Sequence, residues 1–504
     1  MTNRAPYAIY WFRRDLRLPG NELLLEMLRR FSGRVLGFFC FDPIFLARSD
    51  FSVDRFQFFL ETLNALKIEM RSLGGDLLVV DSGPEKAFQF VFDAIRRNGF
   101  SLPSHIAFNR DYEPFARKRD QIMRIFFDKT PEVAVLTGKD HLLIEPQELI
   151  KFSGKEAGYK VYTPFSKVWR NILLSESGVY EKVHRQKKML NDYLSDDKHF
   201  NAQHFNLIWS ELLFDESVRV DCLKDQLCFY LEDNKKKVKI NIPAAGFAQA
   251  INSLQVFQKK INSYEKSRDI PIEKGTSQLS LFLKNGSITT GQIIAFLDLF
   301  EAQLNSSEEK YLNELIWREF YYHVLFLYPD VESNAFQKKY TDISWENNEA
   351  YFEKWKRGET GYPIVDAGMR ELNQTGLMHN RVRMIVASFL TKDLLIDWRW
   401  GERYFMQKLL DGDLAANNGG WQWCASTGID AQPYFRIFNP ILQGKKFDPE
   451  GDYVRFFIPQ LRHLSGKKIH DLTATSQVAG YFKPVVEHDQ QRKKALALFK
   501  LYNQ

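Results

Sequence analysis

The first third of the chain alternates short apolar runs with amphipathic stretches. "YAIYWF", "RVLGFFCF", "DLLVVD", "HIAFN" and "VAVLTG" have the length and the aromatic or β-branched character of buried strands. Between them, segments such as "DRFQFFLETLNALKIEMRSLG" repeat their apolar residues at helical spacing. Strands that alternate with helices predict a parallel sheet covered on both faces, because each crossover lays a helix over the sheet. This α/β domain is expected over residues 1–138. From 139 to 235 the pattern loosens into charged, mixed segments such as "EKVHRQKKMLNDYLSDDKHF", ending near the basic run "NKKKVKI", and reads as a long, partly helical linker. From 236 to 504 the texture becomes long amphipathic segments, among them "NELIWREFYYHVLFLYP" and "HNRVRMIVASFLTKDLLIDW", which predict an all-helical domain. No internal repeat interrupts this order.

Composition sharpens the picture in two places. At 504 residues the chain exceeds the size at which one core keeps growing, which agrees with two packed domains. An aromatic content of 14%, with 42 Phe, 21 Tyr and 10 Trp, is more than packing alone requires, so flat rings are candidates for function. The net charge of +6 permits a polyanionic partner without demanding one. Cys40, Cys222, Cys228 and Cys424 are scattered without a CxxC, against a disulfide framework, a zinc site or an iron–sulfur cluster and in favour of a reducing compartment. The N-terminal "MTNRAPYAIYWFRRDLRL" lacks the apolar stretch of a secretory signal, and no apolar run spans a bilayer. A cytoplasmic protein without membrane attachment is expected.

Candidate chemistry concentrates in the last half. In "NELIWREFYYH", Glu314, Trp317 and Arg318 share a helix face. They form either a surface ion pair of Glu314 with Arg318 beside a packed indole, or a pocket wall that hydrogen-bonds and stacks a planar heterocycle. In "GLMHNRVRM", Asn380 and Met384 point the same way, while Arg381 and Arg383 project elsewhere. An amide and a thioether suit the edge and face of a base; the simpler reading is a helix start capped by His379 or Asn380 with Met384 in the core. "TSQLSLFL" offers hydroxyls and backbone amides where an apolar helix begins, for a phosphate or merely for capping by Thr276 or Ser277. "DGDLAANN" places Asp411, Asp413 and Asn417 among buried-looking neighbours, and a buried carboxylate needs a partner, for which Arg383 is a candidate. Trp345, Trp398, Trp400, Trp421 and Trp423 complete a set of indoles that serve as core filler unless something else recruits them. Two residues along a helix turn through about 200°, so Trp421 and Trp423 should face opposite sides.

Taken together, "WFRRDLRL", "YTPFSKVW", "YEKSRD", "GTSQLS", "NELIWREFY", "GYPIVDAGMR", "GLMHNRVRM", "DGDLAANNGGWQW" and "PYFRIFNP" resemble, in order, the photolyase and cryptochrome flavoproteins, and most of all the class I cyclobutane pyrimidine dimer (CPD) DNA photolyases. The resemblance implies a Rossmann-like antenna domain, a long linker and a helical domain that binds FAD. It implies an active, fully reduced FAD anion that, when excited by blue or near-ultraviolet light, passes an electron to a dimer flipped out of DNA and takes it back. By motif match, Tyr264, Thr276, Ser277, Leu279 and Ser280 hold the diphosphate and ribityl region, and Arg383, Asp411, Asp413 and Asn417 surround the isoalloxazine. Trp317 and Trp423 line the dimer pocket, Met384 packs on the dimer, and Glu314 and Asn380 bond its edges. Arg268, Arg318, Arg381, Arg436, Lys445 and Lys446 face DNA phosphates, and Trp421, Trp398 and Trp345 carry electrons to oxidised flavin. The antenna region "FNRDYEPFARKRD" offers Asn109 and Glu113 to a second chromophore: a folate, a deazaflavin or a flavin.

The implied partner is UV-damaged DNA, single- or double-stranded, met by a monomer, the family's usual form. The (6-4) photolyases carry histidines where this chain has Asn380 and Met384, and cryptochromes replace the amide at Asn417 by an acid or a cysteine. A blue-light-sensing cryptochrome is the alternative reading. A nucleotide-binding α/β enzyme with a helical lid is a second, without a GxxxxGK[ST] to support it.

Overall fold

All five apolar runs become strands of one parallel sheet. The computed structural model describes residues 5–175, 178–195, 205–212, 226–301, 303–472 and 478–503, so Cys222 and parts of the expected linker lie outside the described residues. The strands β1 (Ala8–Trp11), β2 (Val35–Cys40), β3 (Leu77–Val80), β4 (His105–Asn109) and β5 (Ala134–Gly138) run in the order β3-β2-β1-β4-β5. All four pairings are parallel, with Ala8 opposite both Val35 and His105. Every residue of β1, β2 and β3 is buried, the reason these segments read as unbroken apolar runs. Successive residues feed opposite cores: Ile9 and Trp11 join one cluster with Phe38 and Phe88, and Ala8 and Tyr10 join the other with Leu24 and Met70. The covering helices start where caps say they should, with Asn21 accepting from Leu24 N and Ser52 from Arg55 N.

The chain gathers into two compact units that do not follow the expected division into 1–138, 139–235 and 236–504. The first takes residues up to Gly154, Val168–Gln258 and Gln278–Gln303; the second takes Lys155–Lys167, Lys259–Ser277 and Leu304–Gln504. The physical reason is that the linker helices carry apolar faces of their own. Val179, Val183 and Leu190 of the helix Gly178–Leu194 are buried, and Gln186 donates to Gly20 O at 3.0 Å. In the helix Gln226–Lys235, Asn234 donates to Val53 O at 2.9 Å and to Gln57 at 3.0 Å. Residues 278–303 join the first unit through Leu16 N to Asn285 O at 3.2 Å and Gln292 Nε2 to Pro19 O at 3.1 Å.

The second unit is helical throughout its described residues. Its core is built from Trp355, Val382, Val386, Leu390, Trp398, Phe405 and Trp421, contributed by helices that include Asn380–Ser388, Trp398–Lys408 and Leu414–Ala425. After Ser388 the backbone widens into a π-turn over Phe389–Asp393 that buries two charged residues. Lys392 Nζ donates to Ala425 O at 3.1 Å and stands 3.5 Å from the centre of the Phe499 ring, while Asp393 meets His488. Among the described residues no helix is long and apolar enough to cross a membrane.

Two helices meet at Gly401, where an added Cβ would stand 2.1 Å from Cη2 of Trp421. Gly401→Ala is therefore expected to cost about 1–3 kcal/mol through forced displacement of a packed indole. A lowered thermal midpoint, with the first unit's unfolding unchanged, is the measurement that checks it.

Candidate functional site

The candidate residues of the second unit come from three elements that face one another through side chains. The helix Ser306–Leu327 begins at a capping box of Asn305 and Glu308 and carries Glu314, Trp317 and Arg318. The spacing allowed a pair of Glu314 with Arg318, but the structure forms a different one. Arg268 Nη2 donates to Glu314 Oε1 at 2.7 Å, and Arg318 lies over the Tyr322 ring at 5.1 Å. Trp317 lies flat on Tyr162, with ring centres 3.7 Å apart and planes 2° from parallel.

The helix Asn380–Ser388 starts at His379, whose Nδ1 accepts from Arg381 N at 3.2 Å. Of the two capping candidates the structure thus uses His379, and Asn380 stays exposed in the first turn. Met384 is half-buried against the core, with Arg381 Nη1 3.7 Å from its sulfur. Arg381 reaches Asp269 through Nε at 3.2 Å and Nη2 at 3.0 Å, and its guanidinium covers Phe447 at 4.4 Å. Arg383 turns the other way. It donates to both oxygens of Asp411, at 3.1 and 2.9 Å, and to Met378 O at 2.8 Å. Asp411 is only 4% exposed, so Arg383 Nη2, shared between its two oxygens, supplies the partner that its burial demands.

Asp413 caps the helix Leu414–Ala425, accepting from Ala416 N at 3.3 Å, and receives the Tyr322 hydroxyl. One turn on, Asn417 Nδ2 donates to Glu402, at 3.1 Å to its carbonyl and 3.0 Å to its carboxylate. Because the backbone here is helical, Trp421 and Trp423 diverge as their spacing requires. Trp421 is buried against Phe405 at 4.9 Å and Trp355 at 6.1 Å; Trp423 is half-buried. Gly419 admits Tyr321, where a Cβ would stand 2.2 Å from its ring, but Gly420 faces open space. Trp398 is buried beneath Arg399, whose guanidinium lies 5.5 Å from the ring, and Trp345 meets Phe499 edge-on at 6.0 Å.

Tyr264 is buried, edge-on to Tyr311 at 5.2 Å, and burial followed by the Glu314 charge raises its hydroxyl's pKa. Ser277 bonds the Tyr311 side chain. Thr276 and Ser277 fall in the second unit; Leu279 and Ser280 fall in the first, where Leu279 precedes the short helix Ser280–Asn285. Neither Thr276 nor Ser277 caps that helix. Arg436, Lys445 and Lys446 are exposed, and Lys445 pairs with Asp471 at 2.5 Å.

In the first unit, Asn109 ends β4 beside the point where strand order reverses. Its amide donates to Tyr10 and Asp15, both at 2.8 Å, and to Asn21 at 3.1 Å. Glu113 is held by Arg14 and by Lys284 at 3.6 Å. Asn109 itself lines a cleft here together with Arg13, Arg14, Arg110, Asp111 and His141. Sequence reasoning missed Tyr162, Asp269, Trp355 and Glu402. Asp269 was in view next to Arg268, while the others come together only in the folded unit.

Residues 8–184 match the family model described as DNA photolyase, and residues 311–501 match the one described as the FAD binding domain of DNA photolyase. The chain is 36% identical to the deoxyribodipyrimidine photo-lyase of Alkalihalophilus pseudofirmus, over 99% of both. Among solved structures it resembles the archaeal photolyase of Sulfolobus tokodaii, which holds two FAD molecules, with TM-score 0.77 and 30% identity over 98% of this chain and 99% of that one. It also resembles the Synechocystis cryptochrome, with TM-score 0.82 and 26% identity over 99% and 100%.

Burial lowers the pKa of the His379 imidazole to about 4, so it caps its helix as the neutral ring. An unfolded histidine takes a proton near 6.5, so this group's full contribution stands above that pH and is lost as pH falls toward 4. The loss amounts to at most about 3 kcal/mol. His323, lowered to about 4 by burial, adds a parallel slope. His379→Asn keeps a capping acceptor without a titrating ring, so denaturant midpoints across pH 4–7 should slope less than in the parent.

Proposed function

The chain belongs to the DNA photolyase family, and from that premise we propose how its residues divide the light-driven repair of cyclobutane pyrimidine dimers in DNA. The full-length likeness to deoxyribodipyrimidine photo-lyases carries this reading, and the protein is a carbon–carbon lyase with FAD as its cofactor. The donor set fits that cofactor. The flavin's pyrimidine-like edge alternates carbonyl acceptors with an N–H donor, and the Arg383–Asp411 pair presents a donor beside an acceptor. Reduced FAD held there supplies, under blue or near-ultraviolet light, the electron that opens the dimer's ring and then receives it back.

This chain's residues supply position and electrostatics. Arg383 and Asp411 would hold the ring edge, Asp413 fixes the helix start, and Asn417, tethered to Glu402 one turn on, would face the flavin. Tyr264, Thr276, Ser277, Leu279 and Ser280 keep the diphosphate and ribityl roles that the family motif gives them. On the substrate side Trp317, Trp423 and Met384 enclose the flipped dimer, while Glu314 and the exposed Asn380 bond its edges. Flipping costs a few kcal/mol in intact DNA and less at a damaged site, which favours lesions without reading sequence. Arg268, Arg318, Arg381, Arg436, Lys445 and Lys446 meet the phosphates, which makes affinity salt-dependent. Trp421, Trp398 and Trp345 form the route by which oxidised flavin is reduced. A second chromophore, if bound, belongs in the cleft of the first unit against Arg13, Arg14 and Arg110. A site that recognises a locally unpaired lesion accepts single- or double-stranded DNA, and the protein acts on it as a cytoplasmic monomer.

The reduced protein, illuminated, should clear thymine dimers from an oligonucleotide; dimers left intact, with light-dependent capture of a protein partner, would support the cryptochrome reading instead. Glu314→Ala should keep FAD bound, by absorbance, and lower repair yield roughly tenfold, the scale of one lost charge-assisted hydrogen bond. Trp421→Phe should block photoreduction of oxidised flavin while sparing repair by chemically reduced protein.

A further inference from the structure

Trp317 does not stand alone in its wall. Aromatic pairs ordinarily settle offset or edge-on, yet Tyr162 and Trp317 lie face to face, centres 3.7 Å apart and planes 2° from parallel. Other contacts hold the pair there. The Tyr162 hydroxyl donates to Asn313 O at 3.0 Å, with Asn313 Oδ1 a second acceptor at 2.9 Å, and Tyr162 N donates to Asp430 Oδ2 at 2.9 Å. Phe320 stands edge-on to both rings, 5.9 Å from Tyr162 and 5.5 Å from Trp317. Asn313 immediately precedes Glu314, so one phenol ties its own segment to the turn that carries the proposed dimer-binding carboxylate.

We propose that Tyr162 is a positioning residue for dimer recognition: it occupies one face of Trp317, fixes the plane of that indole before substrate arrives, and so leaves the ring ready to receive the lesion. The inference rests on the repair function above. Tyr162 touches neither dimer nor flavin; it acts through Trp317. An indole held in plane beforehand does not surrender its rotamer freedom on binding, so the benefit appears in affinity rather than in the photochemical step.

The test is a dark binding titration of a dimer-containing oligonucleotide to the FAD-loaded protein, paired with repair yield per bound dimer. Tyr162→Leu should raise Kd about tenfold and leave the yield at saturation unchanged; Tyr162→Phe, which keeps the stack, should stay within about twofold. In a Trp317→Ala background Tyr162→Leu should add nothing, because its effect passes through that indole. Tyr162→Met, which fills similar volume without a plane, carries the same expectation should the leucine variant fold poorly. An unchanged Kd for both non-aromatic variants, an equal loss in Tyr162→Phe, or an equal loss without Trp317 would overturn the proposal. A parent protein that binds damaged and undamaged DNA alike would instead refute the repair reading.

Discussion

The helix Leu414–Ala425 is clamped between two neighbours at positions where only glycine fits, and the rest of the site depends on that clamp. Trp421 presses on the backbone of Gly401, and Tyr321 presses on Gly419. A side chain at either position would push a helix outward by more than packed cores absorb. With both contacts made, the helix cannot rotate, and its 3.6-residue pitch then decides every direction: Asn417 toward Glu402, Trp421 into the core, Trp423 toward the half-open side. Gly419 thus has a geometric cause in Tyr321, while its neighbour Gly420 borders open space.

Charge is arranged around that clamp so that buried or half-buried acids have defined partners. Asp411 takes Arg383, Asp413 takes the Tyr322 hydroxyl and a helix start, Glu314 takes Arg268, and Asp269 takes Arg381. Each pairing relieves a desolvation penalty, and each also fixes an orientation before any ligand arrives. Folding therefore spends its electrostatics on preorganisation, and the same groups serve stability and recognition.

The sheet was legible because strands buried on both faces leave unbroken apolar runs, and their helices leave a different period. Local spacing also announced the divergence of Trp421 from Trp423, and the need of Asp411 for a cation pointed to Arg383. What spacing could not announce was pairing across distance. The nearest cations to Glu314 along its helix are Lys310 and Arg318, each four positions away, yet the partner is Arg268, 46 positions away, and Tyr162 meets Asn313 across 151. The grouping of distant stretches into one unit has the same cause: helices read as linker carry apolar faces whose complement lies elsewhere in the chain. The partners of the Asn109 amide nitrogen, Tyr10, Asp15 and Asn21, likewise come from a distant strand and loop.

The pre-paired arginines bear on selectivity. A phosphate that approaches Arg381 competes with Asp269, at 3.0 Å, and one that approaches Arg268 competes with Glu314. Exchange of one anion for another gains less than pairing a free guanidinium, so undamaged backbone is held weakly at these positions. A lesion changes the exchange. On the proposed roles, a Glu314 that turned to the edge of a flipped base would release Arg268 to a phosphate, so base recognition and backbone contact would reinforce each other. The exposed basic groups Arg436 and Lys446 would, on the proposed reading, supply sequence-independent attraction. On that reading, discrimination between damaged and intact DNA would rest on the coupling of Glu314 to Arg268, rather than on the total of positive charge.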